Sequence, residues 1–309
     1  MVIDRPPVID YEGSNYQADF WESGGREYEH LVEIVAMKRL LPPSGRLLLE
    51  LGAGAGRNTL CYSAFDRVVL LDYSLSQLCQ AQEKLGFSGR YVYVAADIYR
   101  LPFVSGLFDA ATMIRTLHHM ADAPLALRQV RKVLQVGAVF ILEFVNKRHL
   151  KAILRYILRR QDWNPFSPEP VEIARLNFDF HPRAVRGWLQ ESGFTLERQL
   201  TVSHFRLDLL KRIVPLRLLV KLDSLAQLTG NWWQLTPSVF VRSHACGNPE
   251  IELPHLDISC ASPGSFFACP ECSHFPLEEN PEELSCPSCF RRWSFRDEIY
   301  DFREPIPEL

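Results

Sequence analysis

No apolar run in this sequence is long enough to span a bilayer, which takes about 20 consecutive apolar residues. The most apolar stretch, 207–228, is broken by Lys211, Arg212, Pro215, Arg217, Lys221 and Asp223. The first seven residues, Met1-Val2-Ile3-Asp4-Arg5-Pro6-Pro7, lack the apolar segment of an export signal. A cytoplasmic setting is therefore expected, where disulfides are rare. Internal repeats and low-complexity tracts are also missing, which excludes solenoids and disordered arrays.

What is present is an ordinary globular composition. Hydrophobic residues make up 47% and charged residues 23% of 309, enough for one large or two modest domains. The net charge of -3 conceals an uneven distribution. Residues 1–144 carry 14 Lys/Arg against 16 Asp/Glu, 145–242 carry 16 against 8, and 243–309 carry 4 against 13. The three segments thus stand at -2, +8 and -9, an imbalance that bears on partners and packing rather than on fold.

From residue 27 the pattern alternates between helical periodicity and short apolar strands. Helices are expected over 27–41, 57–64, 75–85, 124–134 and 182–192, and strands over 46–51, 67–71, 90–95, 108–114, 138–145, 195–202 and 238–242. That alternation predicts an α/β fold with a parallel, doubly wound sheet. Two inserts, 146–180 and 203–235, interrupt it and read as basic amphipathic helices. A linker at 244–265 leads into a small module at 266–309, so the main domain covers 1–243.

The sharpest motif is Glu50-Leu51-Gly52-Ala53-Gly54-Ala55-Gly56, where a strand meets a helix. Glycines there allow a tight turn and close approach of a ligand, and the helix start behind them favours anions. A dinucleotide fingerprint would need its third glycine at position 57, which is Arg57. Asp72 follows at the end of the second strand, where a carboxylate can accept ribose hydroxyls. Asp97, in Ala96-Asp97-Ile98, ends the third.

This acid–glycine–acid–acid arrangement resembles the class I methyltransferases that use S-adenosylmethionine (SAM), in the small-molecule group often called methyltransferase type 11 or UbiE-like. The resemblance covers roughly residues 10–242. It implies a Rossmann-like fold, a methyltransferase activity of class EC 2.1.1.-, and SAM held by Glu50, Gly52, Ala53, Gly54, Gly56, Asp72, Tyr73, Asp97 and Ile98. Asp72 would hold the ribose and Asp97 the adenine amino group, while Glu50 would order the glycine loop or meet the methionine amine. Tyr11, Tyr16 and Trp21 match a segment that covers SAM in relatives.

Arg115-Thr116-Leu117-His118-His119-Met120 matches the family's segment near the transferred methyl. His118 or His119 is the candidate base, and Arg115 a candidate anion-holding group. Alternatively, one histidine simply packs on the sheet. The basic inserts can face anionic lipid, RNA phosphate or an acidic partner, or be solvated lid faces. Trp232-Trp233 would line an apolar acceptor pocket or stack a base.

Cys269-Pro270-Glu271-Cys272 and Cys286-Pro287-Ser288-Cys289 are separated by thirteen residues. Two such knuckles complete a tetrahedral four-cysteine site, and zinc suits it as a structural ion with no open position. A module this small has too little core to fold alone and relies on metal binding. The remaining cysteines, Cys61, Cys79, Cys246 and Cys260, lack ligand spacing. Residues 267–303 resemble the zinc-ribbon activators of tRNA and translation-factor methyltransferases, but carry Asp297-Glu298 where those have Asp-Gly. With its charge of -9, the tail is expected to pack on the +8 segment of its own chain rather than on phosphates.

The favoured function is methyl transfer to a small-molecule or lipid-like acceptor, and no Asn-Pro-Pro-Tyr tetrad is present to direct methylation of exocyclic amines. The alternatives are a methyltransferase of tRNA, rRNA or a translation factor with its activator fused in cis, and a non-catalytic adaptor that keeps the fold. Intact Glu50, Gly52, Gly54, Asp72 and Asp97 argue against the adaptor.

Overall fold

The computed structural model describes residues 6–13, 25–247, 258 and 261–307. Its elements run α1 (Glu27–Leu40), β1 (Gly45–Leu51), β2 (Phe65–Asp72), α2 (Leu75–Leu85), β3 (Tyr91–Ala95), β4 (Phe108–Met113), α3 (Ala123–Val133) and β5 (Leu134–Val145). Then come α4 (Leu150–Ile157), β6 (Val171–Ala174), β7 (Asn177–Asp179), α5 (Pro182–Glu191), β8 (Phe194–Val202), α6 (Asp208–Ile213), α7 (Leu216–Ala226) and β9 (Ser238–Ala245). The C-terminal module supplies β10 (Glu278–Glu279), β11 (Glu283–Ser285), β12 (Arg292–Arg296) and β13 (Ile299–Asp301).

All but β6 and β7 lie in one sheet, ordered β10-β11-β12-β13-β3-β2-β1-β4-β5-β9-β8. β1 to β5 are parallel. They read as near-continuous apolar runs because helices cover both faces, and five consecutive residues of β1 are buried. β9 departs from the expected parallel pattern and runs against both neighbours. The 203–237 connection leaves β8 and re-enters at the same end of the sheet, so β9 has to reverse. It also continues to Ala245, into the span expected as linker.

Local chemistry sets the helix ends. The Ser74 hydroxyl caps α2, which stops at Gly86 with φ +80°. Asp122 caps α3 by accepting from the Leu125 N–H, with Pro124 in the first turn. The helix expected over 57–64 is instead a short 3-10 turn, Thr59–Tyr62. Only a few residues separate the glycine loop from β2, too few for a stable α-helix and a return to the sheet. The first insert is also only partly helical: α4 is followed by the β6–β7 hairpin.

The C-terminal module extends the sheet. β13 pairs in parallel with β3, with Tyr300 opposite Val94, and the Phe302 N–H donates to Ala95 O at 2.7 Å. Ahead of it, Phe267 bridges to Phe103, with Val104 and Ala268 N–H groups bonded across the junction. The Phe267 ring lies 4.6 Å from Tyr300 and 4.8 Å from Phe302. One apolar core therefore runs from Leu101 and Phe103 into Phe266, Leu284 and Trp293.

The ribbon packs on its own chain, as expected, but not on the basic segment. It sits at the β3 edge, whereas β8 of the basic segment lies at the opposite end of the sheet. Local pairs do cross the junction, such as Arg100 with Glu271, but strand pairing and aromatic burial choose the face. Exposed charges contribute little by comparison.

The β12–β13 turn is a two-residue hairpin loop in which Asp297 and Glu298 both have positive φ, 51° and 60°. That conformation suits glycine and strains larger residues. Asp297 is held by its carbonyl, which accepts from Gln82 Nε2 at 2.7 Å. Glu298→Gly is expected to stabilise the protein by about 0.5–1 kcal/mol, read as a raised urea midpoint. Phe267→Ala is expected to cost about 3–5 kcal/mol, lowering the melting temperature of the whole chain in one transition.

Candidate active site and metal centre

The C-terminal ends of β1, β2 and β4 meet at a cleft of about 940 Å³, its open mouth included. The glycine loop forms its floor. Gly52 has φ +67°, and a Cβ there would lie 2.2 Å from Thr116 Oγ1. The Gly54 N–H donates to Asp72 Oδ2 at 2.8 Å and the Ser74 N–H to Oδ1 at 3.0 Å. Burial pushes the Asp72 carboxyl up, against these backbone donors.

Gly52, Ala53, Gly54, Asp72, Tyr73, Ile98, Arg115 and His119 all line the cleft, together with Tyr11. Tyr16, Trp21 and Cys260 lie outside the described residues. Three expected binding residues stand behind the wall. Gly56 has φ +67° and is a packing glycine, since a Cβ would sit 2.9 Å from Leu85 Cδ1. Asp97 is buried and accepts from the Tyr99 N–H at 2.8 Å, capping the turn that presents Ile98. Glu50 points into the core, accepting from Thr59 Oγ1 at 2.6 Å and Tyr62 OH at 3.4 Å. It thus braces the short turn that follows the glycine loop.

Burial pushes the Glu50 carboxyl up to about 7, against the Thr59 and Tyr62 hydrogen bonds. The folded state thus favours its protonated form. The resulting stabilisation is full below the ordinary carboxylate range and is lost as pH rises through about 7. Glu50→Gln is expected to flatten that loss, on the order of 3 kcal/mol, in urea midpoints measured across neutrality.

Arg115 occupies a strained conformation, φ 60°, held by its N–H on Glu143 Oε2 at 3.0 Å. Its guanidinium pairs with Glu33, which also takes Arg57 at 3.0 Å. Burial would raise the Glu33 carboxyl, but Arg115 and Arg57 outweigh it and hold it low. Arg115 is therefore neutralised within the chain. Glu33 and Arg57 escaped the motif reading. The signal was there: Glu33 lies beside Val32, Ala36 and Met37 on the buried side of α1, where an acid needs a partner.

His119 Nδ1 faces Leu176 O at 3.2 Å, and Nε2 faces the Tyr11 hydroxyl at 3.1 Å. A carbonyl only accepts, so Nδ1 carries the proton and Nε2 presents its lone pair. Desolvation keeps this imidazole neutral, against the Leu176 bond. The His118 ring lies tilted against it, with centroids 3.9 Å apart, and is not a cleft wall. Trp232 and Trp233 are likewise absent from the cleft and stand exposed.

The four cysteines Cys269, Cys272, Cys286 and Cys289 place their sulfurs within 4.8 Å of one another. Cys269–Cys289 and Cys272–Cys286 are each 3.6 Å apart, far beyond a disulfide of about 2 Å. A tetrahedron with metal–sulfur bonds of about 2.3 Å has edges of about 3.8 Å, so the donor set fits zinc. The two knuckles are locally alike. Ser273 and Phe290, each following its second cysteine, have φ 60° and return their N–H groups to Cys269 O and Cys286 O. Of the other cysteines, Cys61 is half-buried and Cys79 and Cys246 are exposed.

Residues 49–142 match the family described as methyltransferase domain. Over that span the chain is similar to methyltransferase domains, and its sheet has the Rossmann-like fold of the class I SAM-dependent methyltransferases. It is 32% identical over 153 residues to an uncharacterized chloroplastic methyltransferase of Arabidopsis thaliana, covering 44% of this chain and 41% of that one. A 2-phytyl-1,4-naphtoquinone methyltransferase of Nostoc punctiforme is 28% identical, over 52% of this chain and 82% of its own. The chain spans 39% to 55% of the length of three curated methyltransferases it matches. Among solved structures, a chain of the complex containing the Haloferax volcanii Trm112 methyltransferase activator superposes with a TM-score of 0.53 at 13% identity. It covers 75% of this chain and 96% of its own. The methyltransferase fold is thus joined here to a small zinc ribbon.

The ribbon reaches the cleft through Arg303, which donates to Tyr73 O at 3.3 Å and lies over the Tyr73 ring. Arg303→Ala is expected to weaken SAM binding several-fold, measured by calorimetry, without unfolding the chain.

Proposed function

We propose that this protein transfers the methyl group of SAM to a small or lipid-like acceptor, an activity of class EC 2.1.1.-. The observation that carries the reading is the Asp72 carboxylate, pinned by the Gly54 and Ser74 N–H groups at the lip of the glycine loop. A carboxylate fixed there suits a pair of ribose hydroxyls. Gly52, Ala53 and Gly54 would hold the amino-acid end, and Tyr73 and Ile98 the adenosine. Asp97 acts by fixing the turn beneath Ile98.

Bound SAM supplies an electrophilic methyl on a sulfonium. The chain's part is to align the acceptor and exclude water. His119 is the candidate base, since its neutral Nε2 faces the cleft and Tyr11 steadies it. His118 lacks that access. The acceptor that the Nostoc relative is named for, a phytyl naphthoquinone, supports an apolar acceptor here.

Residues 1–243 form the methyltransferase part in this reading, with 146–180 and 203–235 on the acceptor side, 244–265 connecting, and 266–309 the ribbon. Cys269, Cys272, Cys286 and Cys289 would hold Zn2+, which supplies a tetrahedral cross-link and no open position. The ribbon's strand is already paired with β3, which favours a stabilising role over recruitment of a second protein.

Calorimetry is expected to show one SAM site and no NAD binding, with Asp72→Ala weakening SAM roughly tenfold or more. Labelled methyl should pass into lipid extracts rather than RNA or protein. Absence of SAM binding overturns the reading; label in RNA or protein alone overturns the acceptor class.

A further inference from the structure

We propose that the C-terminal edge of the sheet, beside the cleft, is a docking surface for an anionic lipid bilayer. α4 carries Leu150, Leu154 and Ile157 on one stripe, continued by Leu158 at its end, and all four are exposed, Ile157 by 66%. Only Ala152 of this helix is buried. In a helix serving a globular core that stripe would face inward; here it faces solvent. α6 and α7 repeat the arrangement with Leu209 and Ile213, then Leu218, Leu222 and Leu225, all exposed. Trp232 is 78% and Trp233 58% exposed.

Basic side chains alternate with these apolar ones. Residues 148–160 contain Arg148, Lys151, Arg155, Arg159 and Arg160 and no Asp or Glu. Arg212, Arg217 and Lys221 sit among the leucines of α6 and α7. Among the described residues, none of Lys151, Arg155, Arg159, Arg212, Arg217 and Lys221 forms an ion pair. The acidic ribbon, the natural intramolecular counter-charge, is docked at the β3 edge instead.

The topology places these pieces together. Ser238 pairs with both Val145 and Val202, so both inserts leave the sheet at one end. The Leu150 N–H donates to Leu235 O at 2.9 Å, setting α4 beside the tryptophan turn. The same edge holds the cleft, and the β6–β7 turn touches it through Leu176 and His119. Apolar side chains interleaved with unpaired cations, with tryptophans at one margin, match a helix surface lying in the headgroup plane. Nucleic acid would call for basic and polar groups without so much exposed leucine. The inference deepens the proposed function, resting on it for a lipid-like acceptor reached directly from the bilayer.

The test is sedimentation of the full chain with vesicles of phosphatidylcholine alone and of phosphatidylcholine with phosphatidylglycerol, with tryptophan fluorescence read in parallel. Binding is expected to the anionic vesicles, with a blue shift and weakening in high salt. Arg155→Glu with Lys221→Glu should reduce partitioning by about fivefold or more per charge. Trp232→Ala with Trp233→Ala should reduce both partitioning and the blue shift. SAM affinity, measured on the same samples, should not change. No vesicle binding while SAM still binds overturns docking alone; vesicle binding without SAM binding leaves docking standing and removes the methyltransferase reading. Tighter binding to tRNA than to anionic vesicles, or a dimer that hides the tryptophans and stays intact with vesicles present, also overturns docking.

Discussion

A parallel strand at the edge of a sheet carries a row of backbone N–H and C=O groups with nothing to bond, and the rest of this architecture follows from how β3 disposes of them. β13 takes up that row in register, Ile299 to Asp301 against Tyr93 to Ala95. The pairing is possible because Phe267 and Phe103 bring the ribbon down flat on the same edge. An uncovered edge invites association with other chains, so closing it in cis stabilises a strand and removes a hazard together. The ribbon in turn has few apolar residues of its own and shares the large core through Phe266, Phe267 and Trp293.

That docking has a second consequence at the cleft. Tyr73 follows Asp72 at the end of β2, and Arg303 reaches it from the ribbon. One residue of the cleft wall is thus held by the module that carries the four-cysteine cluster. Behind the cleft wall, burial and pairing give two acids opposite settings. Glu50 has only hydroxyl partners, so desolvation prevails and its carboxyl is raised. Glu33 is equally buried, but two arginines keep it ionised. The same residue type serves as a neutral brace in one place and as the anchor of two cations in the other.

Two margins of the sheet are chemically unlike. The β3 edge is sealed by an acidic ribbon, and the C-terminal edge presents helices whose apolar stripes face outward among cations that form no ion pair among the described residues. The charge imbalance along the chain reflects this separation in space rather than attraction between the segments. Exposed charge is a weak guide to which faces meet inside one chain, because buried aromatic area and strand hydrogen bonds outweigh it.

Read alone, the sequence determined β1 to β5, β8 and β9, the glycine loop and the cysteine quartet, because each rests on local spacing. Apolar runs and capping residues placed β1 to β5 within a residue or a few at each end, and α2 to the residue. The paired C-x-x-C knuckles need only a short reach to meet. Which side of the wall each acid occupies was not legible. Glu50, Asp97 and Gly56 belong to the motif yet stand behind the cleft, while Glu33 and Arg57 serve it from α1 and the loop. That division depends on how helix, sheet and loop pack across long sequence separations. The ribbon's docking edge, the choice of His119 over His118 at the cleft, and the outward turn of α4 were likewise settled only by tertiary structure. Each is a competition between burial and pairing that local periodicity does not record.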